Sequence, residues 1–263
     1  MLRQDTHYRS DAFSAGLKKL GYEVRATDTG VKVGPQSLLV LWNRKTGRED
    51  RLATAWERCG AKVLIAENGY IGKDANGHQY YAMAMNGHNG SGRWHIGDED
   101  RLAKLGIELK PWQNNSGHIL ICGQRGIGSP SMASPPAWHI EVLKHLKKRG
   151  SPYELRLRNH PGNNAPQVPL EKDLTGASGC LVWSSSSGVR ALAMGIPVCY
   201  AAPHWVCARA AVRFNDKEWI AAFLRDDAKR LEAMRRMAYA QWTLNEIASG
   251  EAFDALLNRE LNS

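Results

Sequence analysis

Short apolar runs recur along the chain, and most are followed by a stretch whose apolar positions return every three or four residues. Runs of four to six apolar residues suit buried strands, and the longer amphipathic stretches suit helices laid against them. The first series comprises a helix over 8–20 with Gly21 as its cap, strands at 22–26 and 37–42, a helix near 47–59 and a strand at 61–68. A polar, glycine-rich segment follows at 86–97, then a short helix at 98–106. "KPWQNNSG" (110–117) has the composition of a linker. The second series runs through "HILIC" (118–122), a helix within 134–150, "YELRLRNHP" (153–161), "GCLVWSSSS" (179–187), a helix ending at Gly195 and "IPVCYA" (196–201). Residues 216–247 read as one or two closing helices. This alternation predicts an α/β protein of two Rossmann-like domains, with boundaries at 1–112 and 113–263 and the closing helices in the second. A cleft between the domains, faced by the C-terminal ends of strands, is the expected ligand site. A single sheet with a long insertion is the alternative.

Composition narrows the class. The 263 residues are 43% hydrophobic, enough for a substantial core, and no apolar run approaches the length of a membrane span. Five cysteines without CxxC spacing (Cys59, Cys122, Cys180, Cys199, Cys207) argue against a disulfide framework or a zinc site. Without an export leader, a cytoplasmic setting is expected. The net charge of +9 is shared by both series and suggests an anionic partner.

Three polar features follow strands of the second series. "GQRGIGS" (123–129) is a glycine-rich turn carrying Arg125, without the spacing of a dinucleotide fingerprint or a P-loop. In "RNHPG" (158–162), His160 stands before a proline that holds it extended, where its ring can donate to a phosphate or bond a loop carbonyl. Ser184, Ser185, Ser186 and Ser187 stand where a strand hands over to a helix, so they can cap it, and with its free amides they can hold a phosphate. Three such features at one sheet edge favour a diphosphate site. In the first series, Glu67 and Asn68 end an apolar strand before a glycine turn; Glu67 can take a proton from a hydroxyl or cap the turn. Asp11 and His7 are further acid/base candidates. "DED" (98–100) matches a metal-binding DxD pattern but opens a helix, where acidic residues suit the dipole. Trp94, between Arg93 and His95 in the glycine-rich segment, is expected to be exposed and to stack on an acceptor base or sugar.

The ordered series "ENGYI", "CGQRG", "RNHPG", "SSSSGVRALAMGIPV" and "QWTLNEIASGEAF" (241–253) resembles bacterial capsular-polysaccharide glycosyltransferases of the Kdo-transferase type and their polysialyl and glycerophosphate relatives. The resemblance touches about residues 60–255 and implies the two-domain GT-B fold. It implies a nucleotide-sugar such as a UDP-sugar as co-substrate, no other cofactor and no metal. Donor binding then falls to Gln124, Arg125, His160, Ser184–Ser187, Gly188 and Arg190, with Glu67 as the acid/base candidate. Two positions depart from the family pattern: Asn68 replaces an acidic residue, and Arg190 replaces the glutamate that holds the donor's ribose. Arg190 can only donate, to a phosphate or a base carbonyl.

The basic charge, with Arg93, Trp94 and His95, turns the acceptor expectation towards hydroxymethylated pyrimidines in DNA, as in bacteriophage base glycosylation within a host cytoplasm. A cell-surface glycan is the alternative acceptor. A sugar-nucleotide epimerase and a non-catalytic nucleotide-binding protein are the competing classes.

Overall fold

The computed structural model describes residues 9–25, 30, 32–160, 162, 168–214 and 223–261. His7, Pro161 and the expected helical residues 216–222 lie outside them. The chain divides into two units, one of Met1–Gly106 with Arg236–Ser263 and one of Ile107–Arg235. The closing segment was expected in the second domain. Instead it rejoins the first unit, because its short strand pairs there.

In the first unit, α1 (Ser10–Lys19) precedes β1 (Leu38–Trp42), α2 (Arg48–Arg58), β2 (Lys62–Lys73), β3 (Gln79–Met85) and α3 (Arg101–Lys104). β1 and β2 run parallel, with Leu38 opposite Lys62 and Trp42 opposite Ala66. Parallel neighbours need a crossover, and α2 supplies it, burying Ala53 and Trp56 on Leu39, Leu41, Val63 and Ile65. β3 then returns antiparallel to β2. The sequence reading missed β3, since "QYYAMAM" is buried almost throughout and shows no alternation, and Ala and Met are weak strand formers. Residues 22–25, read as a strand, have no regular structure.

In the second unit, β4 (His118–Cys122), α4 (Trp138–Lys148), β5 (Glu154–Arg158), α5 (Leu170–Leu174), β6 (Gly179–Val182), α6 (Ser186–Ala193), β7 (Val198–Tyr200) and β8 (Val212–Arg213) form a Rossmann-like arrangement. Among the described residues its sheet has the order β5-β4-β6-β7-β8, every pair parallel. From β4 the chain steps outward to β5, then crosses back to β6 on the other side of β4. The crevice beyond the carboxyl ends of β4 and β6 is therefore the topological switch point, where open α/β sheets bind ligands.

α7 (Asp227–Tyr239) leads the chain back to the first unit, where β9 (Gln241–Trp242), α8 (Leu244–Ser249) and α9 (Glu251–Leu257) complete it. β9 pairs antiparallel with β3, so a strand interrupts the stretch read as helix. Side chains account for the break. Gln241 is fully buried; its Oε1 accepts from Tyr70 N at 2.9 Å and its Nε2 donates to Ile71 O at 2.9 Å. It thereby satisfies backbone where the β2–β3 register is interrupted between Asn68 and Lys73. Arg101, only 1% exposed, donates to both carboxylate oxygens of Glu246 at 2.7 and 2.9 Å and to the carbonyls of Ala238 and Gln241. Its guanidinium also lies 4.1 Å from the centre of the Trp242 ring. Glu246 completes a capping box with Thr243 at the start of α8.

Burial alone would raise the Glu246 pKa, but the hydrogen bonds from Arg101 and Thr243 outweigh it and hold the group at about 2. The stability from this depressed carboxylate is complete above its ordinary value of 4.5 and lost as pH falls towards about 2. Glu246→Gln should cost about 3–5 kcal/mol in urea unfolding at neutral pH, because it leaves Arg101 charged and buried. The difference from the wild type should shrink on acidification through that window.

Candidate functional site

The pairing register of the second unit aligns the polar features read from the sequence. Cys122 of β4 lies opposite both Arg158 of β5 and Val182 of β6. Gln124, His160 and Ser184 each stand two residues beyond one of these three, so they leave the sheet at the same edge. Gln124 and Ser184 are joined directly across the switch point. Ser184 N donates to Gln124 Oε1 at 2.6 Å, and Gln124 Nε2 donates to Ser184 Oγ at 3.3 Å.

The four serines divide their work. Ser184 is buried and held by Gln124. Ser185 is the cap of α6: its Oγ accepts from Ser187 N at 3.1 Å and donates to Ser187 Oγ at 3.1 Å. Ser186 and Ser187 are half-buried on the first turn. Gly188 lets that turn settle onto Trp205, since a Cβ there would lie 2.8 Å from the indole ring. α6 thus begins beyond the C-terminal end of β6, with the positive end of its dipole at the switch point.

His160 is exposed, and its Nδ1 accepts from Gly162 N at 3.0 Å. That bond places the ring proton on Nε2 and leaves Nε2–H as a donor. Partial burial, reinforced by the nearby Arg125 charge, lowers the His160 pKa, so the neutral donor form is favoured. Arg125 is exposed. Arg190 is exposed on α6 and leans towards Glu171 at 3.8 Å, a loose surface pair.

In the first unit, Glu67 was expected to end a strand before a glycine turn. It lies instead in the middle of β2, which runs on to Lys73 while β3 pairs with it, one residue past the Ala66–Trp42 pair at the C-terminal end of β1. Its Oε1 is enclosed and has no hydrogen-bond partner among the described residues. With its amide nitrogen towards the carboxylate, Asn43 donates to Glu67 Oε2 at 3.1 Å, and its oxygen accepts from Trp42 Nε1 at 3.3 Å. Burial raises the Glu67 pKa, and His88 partly opposes the rise. The sequence reading missed Asn43 and His88, which become visible only when β1 and the loop after β3 are brought beside Glu67. Asn68 points elsewhere, its Oδ1 accepting from Gln79 Nε2.

Three expectations are corrected. Trp94 is not an exposed stacking ring: it is 4% exposed, and its Nε1 donates to Arg236 O at 2.9 Å. His95 is half-buried, with Nδ1 3.0 Å from Glu260 O, so of these three neighbours Arg93 alone is exposed. Asp11 is an exposed first-turn residue of α1, and an ion pair with Arg9 at 3.1 Å lowers its pKa and makes it a poor base. In "DED", Asp100 Oδ1 caps α3 by accepting from Ala103 N.

No protein-family model and no curated protein matches the chain. Among solved structures, the chain is similar to KpsC, the beta Kdo 2,7 transferase, of Thermosulfurimonas dismutans, with a TM-score of 0.50 and 15% identity over 93% of this chain and 89% of that one. The beta Kdo 2,4 transferase KpsC of the same organism aligns at a TM-score of 0.44 and 12% identity over 79% and 80%. At 15% identity the first likeness establishes a shared fold.

An enclosed carboxylate oxygen without a partner costs stability whenever the group is charged. A carboxyl whose folded pKa is raised loses stability as pH rises through that pKa. Glu67→Gln should therefore raise the melting temperature at neutral pH, by on the order of 2–4 °C for each kcal/mol relieved. The gain should disappear in acid, and differential scanning calorimetry at both pH values reads it.

Proposed function

We propose that this protein is a glycosyltransferase whose second unit binds a nucleotide-sugar donor at the switch point and whose first unit supplies Glu67 as proton acceptor. The observation that carries the reading is the Gln124–Ser184 bridge at the start of α6, with His160 leaving the sheet at the same level. The α6 dipole, the hydroxyls of Ser186 and Ser187, the Nε2–H of His160 and the Arg125 guanidinium all suit a diphosphate. Arg190, one turn further along α6, would donate to a phosphate or a base carbonyl. The shared fold with a Kdo transferase agrees with this reading.

In the reaction, the acceptor oxygen bonds to the anomeric carbon as its hydroxyl proton passes to a base, the role we assign to the Glu67 carboxylate. The bond from that carbon to the phosphate oxygen breaks, and its electron pair leaves with the phosphate. Donors fixed around that oxygen stabilise the departing charge without a rearrangement. The raised pKa of Glu67 suits an acid/base group, since a carboxyl closer to the working pH exchanges protons more effectively. We assign the acceptor as a saccharide hydroxyl. A flipped DNA base would need a stacking ring, and Trp94, which that reading named, is in the core.

A thermal-shift series with UDP, CMP, GDP and ADP should single out one nucleotide that stabilises the protein by mass action. His160→Ala should then raise its dissociation constant about tenfold to a hundredfold, the range of a charge-assisted hydrogen bond, with the melting temperature of the free protein unchanged. Four nucleotides without effect would overturn the donor assignment.

A further inference from the structure

Glu67 is surrounded by a built setting. Asn43 follows the last residue of β1 and is held at φ 62°, a left-handed conformation that asparagine tolerates better than most residues. Its backbone N–H still donates to Ala66 O at 2.9 Å, so it remains tied to β2 beside Glu67. The side chain therefore has a fixed origin, and it bridges Trp42 Nε1 to Glu67 Oε2. With Oε2 engaged, Oε1 is left as the oxygen without a partner among the described residues.

His88 comes from the glycine-rich segment, whose tip is tightly organised. Ser91 Oγ donates to His88 O at 2.7 Å and accepts from His88 N at 3.1 Å. A Cβ on Gly92 would stand 2.5 Å from Gly87 O, so the two limbs of the loop touch backbone to backbone. The loop returns to the sheet through paired hydrogen bonds between Met85 and Arg93. It holds the imidazole 7% exposed, and His88 opposes the rise that burial causes in the Glu67 pKa.

We infer that Asn43 is a positioning residue for Glu67: it engages Oε2 and fixes the orientation of the carboxyl group. This rests on the proposed role of Glu67 in sugar transfer.

The test separates the positioning from the reaction. In protein carrying ¹³C-carboxyl glutamate, the Glu67 resonance is the one lost in Glu67→Gln, and its titration reports the carboxyl without any substrate. Asn43→Ala and Asn43→Gly should each move its midpoint upward, because each removes a hydrogen bond that favours the charged form. In the transfer assay both should lower kcat about tenfold or more with the donor KM unchanged, as expected for loss of a hydrogen bond to a charged group. Glycine accepts the left-handed backbone at this position without strain, so if Asn43→Ala fails to fold Asn43→Gly still decides. An unmoved midpoint overturns the positioning. A shifted midpoint with undiminished kcat overturns the role of Glu67 in the reaction, and with it the functional part of this inference.

Discussion

Parallel strand pairing is the constraint on which both candidate sites depend. Parallel neighbours end at the same edge of a sheet, so the residues that follow them emerge together however distant they are in sequence. In the second unit this gathers Gln124, His160 and Ser184 beyond Cys122, Arg158 and Val182. In the first unit the same rule sets Asn43 beside Glu67, because Trp42 and Ala66 are partners. Register, more than any single side chain, creates the chemistry.

Two glutamates of the first unit show how environment sets the charge preference of a buried carboxyl. Glu246 is buried with Arg101 and Thr243 around it, and its hydrogen bonds hold its pKa far below the ordinary range. Glu67 is enclosed with one oxygen bonded to Asn43 and the other without a partner among the described residues, and burial moves its pKa upward. The first arrangement ties α3 to β9 and α8. The second maintains a cost in the folded state. The opposite pKa directions follow from the surroundings: donors outweigh burial at Glu246, and burial dominates at Glu67.

The glycine-rich loop after β3 was expected to present Trp94 to an acceptor. Its glycines permit close approach, but the approach is of the loop to itself. Trp94, flanked by polar neighbours, points inward because its large apolar ring gains more from burial than its surroundings suggest, and Arg236 O satisfies its N–H. His88, which attracted no attention in the sequence, is the residue the loop delivers to Glu67.

By itself, the sequence determined the α/β class, the three polar loops of the second unit and the cap that opens α6. These follow from local patterning: apolar runs, glycine turns and hydroxyls at a helix start act over a few residues. Only the tertiary structure decided where the chain returns. β3 and the two-residue β9 lack a local signal, and Gln241 and Arg101 satisfy backbone that sequence distance conceals. The return of residues 236–263 to the first unit, the burial of Trp94 and the convergence of Asn43 and His88 on Glu67 were equally beyond a local reading. Long-range pairing and burial depend on which surfaces meet, and no window of sequence contains both surfaces.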